Sequence, residues 1–227
     1  MKTKPISQKQ YRYFIKTEAS NYAQEVKLDF EKLVLGHISA TMEKTPLAAL
    51  ILMLCAIDYL KSFNYGLLAI DDRTLDVLTK RYKYDHRNKY LNIVKKRRIT
   101  IKKGPGKYYI SFLKDYLKPK NKKYHIIEIY KNLRCGLVHN YSDHIFKYDF
   151  IDNRDINFGD RTNEHLTKYK RNNKIRVKFN IDTFFKDFLS MCDDFWTNAN
   201  NNIKIQMNIH DIKSYVGFMH VFPEQSK

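Results

Sequence analysis

Hydrophobic positions recur at helical spacing over most of the chain. Between Asn21 and Ala40 they fall at Tyr22, Val26, Phe30, Leu33, Val34 and Ile38, with Glu25, Lys27, Asp29, Glu31 and Lys32 among them. That period predicts an amphipathic helix with one face on a core. Thr45 offers a capping hydroxyl and Pro46 suits a first helical turn, so a second helix starts there. Its run LAALILMLCAIDYLKSF is apolar on every side until Asp58, which predicts a central rod buried all round. Asp58 reads as a core acid paired with a Tyr or Arg, or as a site residue. Asn64-Tyr65-Gly66 ends that helix, and Ser111–Leu117 and Tyr124–Leu133 read as further helices broken at Pro119. The first twenty residues are polar and basic without a clear period and read as a loosely docked arm.

Beyond Asp143 the period changes from 3.6 to 2. Phe146, Tyr148 and Phe150 alternate with Lys147 and Asp149, and Leu166, Lys168 and Lys170 lead to an Arg171-Asn172-Asn173 turn. Ile175, Val177, Phe179 and Ile181 then alternate with Lys174, Arg176, Lys178 and Asn180, as a two-sided strand requires. Asp182 caps a helix with a stripe of Phe184, Phe185, Phe188, Leu189, Cys192, Phe195 and Trp196. Ile203, Ile205, Met207 and Ile209 alternate as a short strand would. These patterns give a mainly α fold class. It is an antiparallel helical bundle with a small antiparallel β-sheet or hairpin before a C-terminal amphipathic helix. We read 1–227 as a single domain, with a basic insertion at about 71–107 and a hairpin-plus-helix extension at about 144–227.

Charge changes the picture. The 227 residues include 42 Lys and Arg against 24 Asp and Glu, a formal net charge of +18. Hydrophobic residues make up 43%, enough for a packed core, which excludes a disordered polycation. Such a field attracts polyanions, nucleic acid first. A composition rich in Lys, Asn, Ile and Tyr accounts for many lysines but not for the shortage of acids. The excess is concentrated from Lys80 to Lys107, where Asp85 is the one acid among twelve Lys or Arg. Lys95-Lys96-Arg97-Arg98 followed by ITIKKGPGKYYIS predicts a basic helix running into a β-hairpin with a Gly-Pro-Gly turn. Lys95, Lys96, Arg97, Arg98, Lys102 and Lys103 are the candidate phosphate contacts. Tyr82, Tyr84, Tyr90, Tyr108 and Tyr109 are candidates to stack on unpaired bases. The plain alternative is a solvated insertion whose tyrosines pack onto the domain.

Cys55, Cys135 and Cys192 are odd in number and far apart, which argues for a reducing compartment and against a disulfide framework or a zinc site. The N-terminus has no apolar signal core, and Pro46–Ile57 is short for a bilayer span. The expectation is a soluble cytoplasmic protein with no membrane partner.

The stretch Tyr130–Asp143, YKNLRCGLVHNYSD, carries the chemistry. Arg134 keeps its charge at any working pH, while His139 can move a proton near neutrality. A guanidinium fork beside an imidazole suits phosphate-ester chemistry. On an ideal α-helix these two residues lie about 140° apart, since each residue turns about 100°. Either Gly136 bends the helix or a second copy completes the site. The chain contains no Gly-rich phosphate loop, G-x-S-x-G elbow, HExxH or acidic calcium loop, so neither a metal nor a cofactor is expected.

NLRCGLVHNYS at 132–142, supported by AIDYL at 56–60 and FLKDYL at 112–117, resembles the HEPN superfamily (higher eukaryotes and prokaryotes nucleotide-binding domain). The resemblance covers about Asn21–Ser142, with the basic stretch at 71–107 looking inserted. It implies a metal-independent endoribonuclease of phage defence or a toxin–antitoxin system, with its active site at a homodimer interface. Arg134 and His139 would be the catalytic pair, and Asn140, Tyr141 and Asp58 supporting residues. RNA, a second copy and an antitoxin or operon partner protein are the implied partners. Members often carry Asn, Asp or His directly after the Arg. Here Cys135 stands in that position, a departure that Asn140 or Tyr141 would have to make good. Other members only bind RNA or nucleotides, or act as protein-interaction subunits, and both alternatives stay open.

Overall fold

The computed structural model describes residues 8–84, 87–101, 104–118, 124–136, 138, 148–151 and 165–216. In chain order these form α1 (Gln8–Asp29), a π-helical segment (Phe30–Leu35), α2 (Gly36–Lys44), α3 (Pro46–Tyr65) and a 3₁₀ turn (Gly66–Ala69). Then come α4 (Asp72–Arg81), α5 (Arg87–Ile101), α6 (Pro105–Tyr116) and α7 (Ile126–Glu128), which runs into a π-helical turn (Ile129–Arg134). Strands β1 (Tyr148–Ile151), β2 (Thr167–Arg171) and β3 (Lys174–Asn180) are followed by α8 (Ile181–Asn201) and α9 (Ile203–Val216). The fold is thus a mainly α-helical bundle with a small three-stranded sheet and a C-terminal helix.

The chain divides into two compact units. One comprises Met1–Asp29, Leu60–Tyr108 and Trp196–Lys227. Here α1 packs along α9, the 3₁₀ turn packs against α5 and α9, and α4 packs on α5. Of the basic arm expected over the first twenty residues, the part from Gln8 on is the start of α1, and residues 1–7 lie outside the described residues. The strand expected at 203–209 is helical too. Ile205, Ile209 and Ile212 are buried, at i, i+4 and i+7, whereas Ile203 and Met207 are exposed. The alternating run was therefore half of a helical stripe, and the Asn202 side chain accepts from Lys204 N–H at 3.1 Å to start it. Gly66 has φ of +65°, and a Cβ there would meet Asn208 Oδ1 at 2.6 Å, so the turn after α3 needs glycine. The same Asn208 side chain donates to the Asn64 carbonyl at 2.8 Å, which ties α9 to the end of α3.

The second unit comprises Phe30–Tyr59 and Tyr109–Phe195. Its sheet has the order β1-β3-β2. β2 and β3 are antiparallel, as the alternation predicts, but β1 runs parallel to β3, so the sheet is mixed and not antiparallel throughout. Asn172 and Asn173 take φ of 48° and 58° in the β2–β3 turn, the pair of left-handed positions that a two-residue hairpin needs. The cap of α8 is Asn180, whose Oδ1 accepts from Thr183 N–H at 2.8 Å, and not Asp182, which lies within the first turn. Phe184, Phe188, Met191, Cys192 and Phe195 form its buried stripe, with Phe185 and Leu189 only half-buried.

The Gly-Pro-Gly segment is no hairpin. Pro105 opens α6, where its fixed φ is preorganised for a first turn, and Tyr108, Tyr109, Phe112, Leu113 and Tyr116 are buried at helical spacing. Nor is α3 buried all round. Leu50, Met53, Leu54 and Ile57 are fully buried, but Leu47 and Leu52 are 42% and 39% exposed, and Cys55 is exposed as well. The helical stretch Pro46–Ala69 is 24 residues long, with a mean hydropathy of 1.6 over its most apolar window. It is long and apolar enough to cross a membrane, contrary to the expectation from the shorter run, and 56% of that window is buried inside the fold.

Asp71 caps α4. Its carboxylate accepts from Thr74 N–H at 2.8 Å and from the Thr74 hydroxyl at 2.6 Å. Partial burial works against its charge, but these bonds and the Lys61 ammonium hold the carboxyl below its ordinary range. A depressed folded-state pKa adds stability above the unfolded value, and this is lost as pH falls through the folded one. Asp71→Ala should therefore lower stability by about 1 kcal/mol at neutral pH. In denaturant titrations the gap from wild type should close in acid.

Candidate active site around Arg134

Asp58 and Arg134, 76 residues apart in sequence, are paired in the second unit. Arg134 Nε donates to Asp58 Oδ2 at 2.7 Å, and Nη2 lies 2.6 Å from the same oxygen. The two side chains are 24% and 21% exposed, reachable from solvent yet largely dehydrated. Burial alone would weaken the guanidinium's hold on its proton, but Asp58 outweighs it and raises the Arg134 pKa above its ordinary value. Arg134 is thus a permanent cation in one orientation. The alternative of a core acid paired with an Arg describes Asp58 correctly, and it stands at the candidate site as well.

Local winding decides what shares a face with Arg134. Ile129–Arg134 is π-helical, and Gly136 and Val138 keep that wide turn. Backbone bonds then span five residues, so positions five apart complete slightly more than one turn. Tyr130 and Cys135, five apart, are close enough to interact, since Cys135, second to burial, contributes to raising the Tyr130 pKa. The 140° offset calculated for an ideal α-helix does not hold over Ile129–Arg134, and the placement of His139 relative to Arg134 lies outside the described residues. His139, Asn140 and Tyr141 lie outside the described residues.

The Cys135 thiol adds a smaller electrostatic contribution to that of Asp58 in raising the Arg134 pKa. The position that HEPN proteins often fill with Asn, Asp or His is occupied by this thiol, which is half-buried beside Arg134 in sequence. Behind it, Tyr109 is fully buried, its ring centroid 5.4 Å from that of Tyr130. Burial and then the Asp58 charge push the Tyr109 hydroxyl well above its ordinary pKa, and burial with Cys135 raises that of Tyr130. Both phenols are neutral at working pH. Each keeps its proton and does not act as an acid or base near neutral pH.

The basic candidates divide. Lys95 is bound to Asp76 at 2.6 Å, while Lys96 and Arg97 are exposed on α5. Arg98 is on α5, but its side chain, like Lys102 and Lys103, lies outside the described residues.

A second polar cluster had no signal in the sequence. Asn180 N–H donates to His165 Nδ1 at 3.1 Å, so the neutral ring carries its proton on Nε2, 2.8 Å from the Tyr124 hydroxyl. Tyr124 in turn donates to Asp187 at 2.7 Å. His165 is buried, and the other members of the network come from β3, α8 and the segment before α7, so no spacing rule could have joined them. The cluster ties the sheet to α8 as a satisfied core network. Among the described residues, no three His, Cys, Asp or Glu side chains converge to hold a metal.

Comparison with family models, curated proteins and solved structures gives no match to this chain.

The ion pair makes a direct prediction. Asp58→Asn and Arg134→Gln should each cost about 1.5 kcal/mol, the low end for hydrogen bonds to charged groups because the pair is partly hydrated. In a double-mutant cycle followed by chemical denaturation, the double variant should cost little more than either single one. Strict additivity would show that the pair does not couple.

Proposed function

We propose that this chain is a metal-independent endoribonuclease of HEPN type, acting on RNA in the cytoplasm in phage defence or as part of a toxin–antitoxin system. One observation carries the reading: a partly exposed arginine, fixed by Asp58, opens the R-x4-H sequence at the end of a π-helical turn. In the reaction, His139 takes the proton of a ribose 2′-OH, and that oxygen attacks the adjacent phosphorus. Arg134 holds the negative charge of the pentavalent phosphorane. The 5′-oxygen leaves with a proton returned by the His139 imidazolium or supplied by water, so the products are a 2′,3′-cyclic phosphate and a 5′-OH. Asp58 positions the guanidinium, and Asn140 and Tyr141 follow His139 as supporting residues.

A second reading has its own support. Arg134 already carries a carboxylate on Nε and Nη2, which favours a module that binds RNA or a nucleotide without turnover, or a protein-interaction subunit. Rates separate the two. Cleavage of RNA by the wild type should persist in EDTA. His139→Ala should lower kcat by roughly 10²- to 10⁴-fold with RNA affinity retained, because proton transfer adds little to ground-state binding. Arg134→Lys should also be impaired, since a point charge lacks the fork. Cleavage that is equally fast without His139 would end the enzymatic reading.

The proposed assembly is a homodimer, with an antitoxin or operon protein as a further partner. Its support is the exposed apolar stripe of α3, Leu47, Leu52 and Cys55, which leads one turn later to Asp58. Apolar faces of this kind are more often covered than left in water. Sedimentation in about 0.15 M salt should show a dimer for the wild type and a monomer for Leu47→Lys/Leu52→Lys. A wild type that stays strictly monomeric at tens of micromolar contradicts the assembly.

A further inference from the structure

Five tyrosines lie in or beside the basic stretch, and the fold sorts them. Tyr108 and Tyr109 are buried, so neither can meet a ligand. Tyr82 is half-buried. Tyr90 donates to Asp211 at 3.3 Å and ties α5 to α9. Tyr84 alone of the five stands almost wholly in water, 93% exposed, in the turn between α4 and α5. The Lys83 ammonium lies 5.2 Å from its ring centre.

The surface on either side of that turn is cationic. Asn88 on α5 donates to the Thr79 carbonyl on α4 at 3.0 Å, and Lys95 meets Asp76 at 2.6 Å. These two contacts set α4 and α5 antiparallel and side by side, so their outer faces form one surface. Arg73, Lys80 and Arg81 are exposed on α4, and Lys89, Lys96 and Arg97 on α5. The acids of α4 reduce this little, since Asp76 is bound to Lys95 and Asp72 sits at the helix start. Val77, Ile93 and Ile99 are exposed among the cations.

We infer that this face of α4 and α5 binds a single-stranded polynucleotide, with Tyr84 stacked on one base and the cations along the phosphates. Charge complementarity selects a polyanion. The exposed ring and aliphatic side chains select one whose bases are unpaired, because a duplex keeps its base faces inside and offers phosphates and groove edges. An anionic membrane is the competing polyanion, but it needs an apolar stripe separated from the charges. Ile93 and Ile99 are six positions apart, about 120° around a helix, with Lys96 midway between them and Arg97 about 40° beyond Ile93. Interleaving of that kind suits a strand whose bases and phosphates alternate.

The inference deepens the ribonuclease reading by naming unpaired RNA as its substrate class, and the test is chosen so that the two can fail separately. The probe is a mixed-sequence oligodeoxynucleotide, which has no 2′-OH and cannot be cut by the proposed reaction. Fluorescence anisotropy over a salt series compares the single strand with its duplex, and flotation with phosphatidylserine vesicles covers the membrane alternative. The wild type should prefer the single strand. Tyr84→Ala should weaken single-strand binding roughly tenfold and leave duplex binding unchanged, while Tyr84→Phe restores it. Lys96→Gln/Arg97→Gln should weaken binding to both and flatten the single-strand salt slope by roughly 1.4. Tyr84→Ala that binds the single strand as the wild type does overturns the inference, and so does a duplex bound as tightly as the strand. Capture by vesicles without binding of the strand overturns it in favour of the membrane. A protein that binds the strand through Tyr84 but cuts no RNA leaves this face standing and removes the nuclease.

Discussion

Arg134 cannot shed its charge, so a fold that dehydrates most of its side chain must bring an acid to it. Asp58 is that acid, and meeting it fixes where α3 and the turn after α7 stand to each other within their unit. The residues around the pair are arranged accordingly. Tyr109 and Tyr130 lie beside each other at 5.4 Å between ring centres, and the Asp58 and Arg134 charges both act on the buried Tyr109 hydroxyl. On α3 the exposed residues Leu47, Leu52 and Cys55 lead to Asp58, the acid that holds the arginine. A charge pair of this kind stabilises little compared with a well-packed apolar pair. Its value is in holding one orientation of the arginine, which is what stabilising a phosphorane requires.

How much of this could be read from sequence depended on whether the signal was local. The α3 rod, the hairpin turn at Asn172-Asn173 and the aromatic stripe of α8 are local patterns, and each is present. Ile203–Ile209 misled because Ile205 and Ile209 fit a period of 2 and an i, i+4 step equally well, and only Ile212 breaks the tie. Gly104-Pro105-Gly106 misled because the same proline that can turn a hairpin can also start a helix.

The site itself was partly readable. Arg134 and Asp58 were both singled out, and the option of an Asp–Arg pair was correct. The π winding was not foreseen, since nothing in IYKNLR distinguishes a bond to the fourth residue from one to the fifth. That single difference changes which residues share a face with Arg134. The His165–Tyr124–Asp187 network, assembled from separate segments, was invisible for the opposite reason: its members have no local pattern at all. Among the tyrosines of the basic stretch, composition gave five equivalent candidates, and burial leaves Tyr84 as the one fully presented to solvent.

The central claim is that Arg134 serves 2′-OH attack on a phosphodiester without a metal. The most direct measurement is the chemical identity of the ends made from a defined RNA by purified protein in EDTA. The expected result is a 2′,3′-cyclic phosphate and a 5′-OH at the cut, and no cut where the nucleotide 5′ to it is 2′-deoxy. Ends with a 3′-OH and a 5′-phosphate, or a cut that survives the 2′-deoxy substitution, would contradict it.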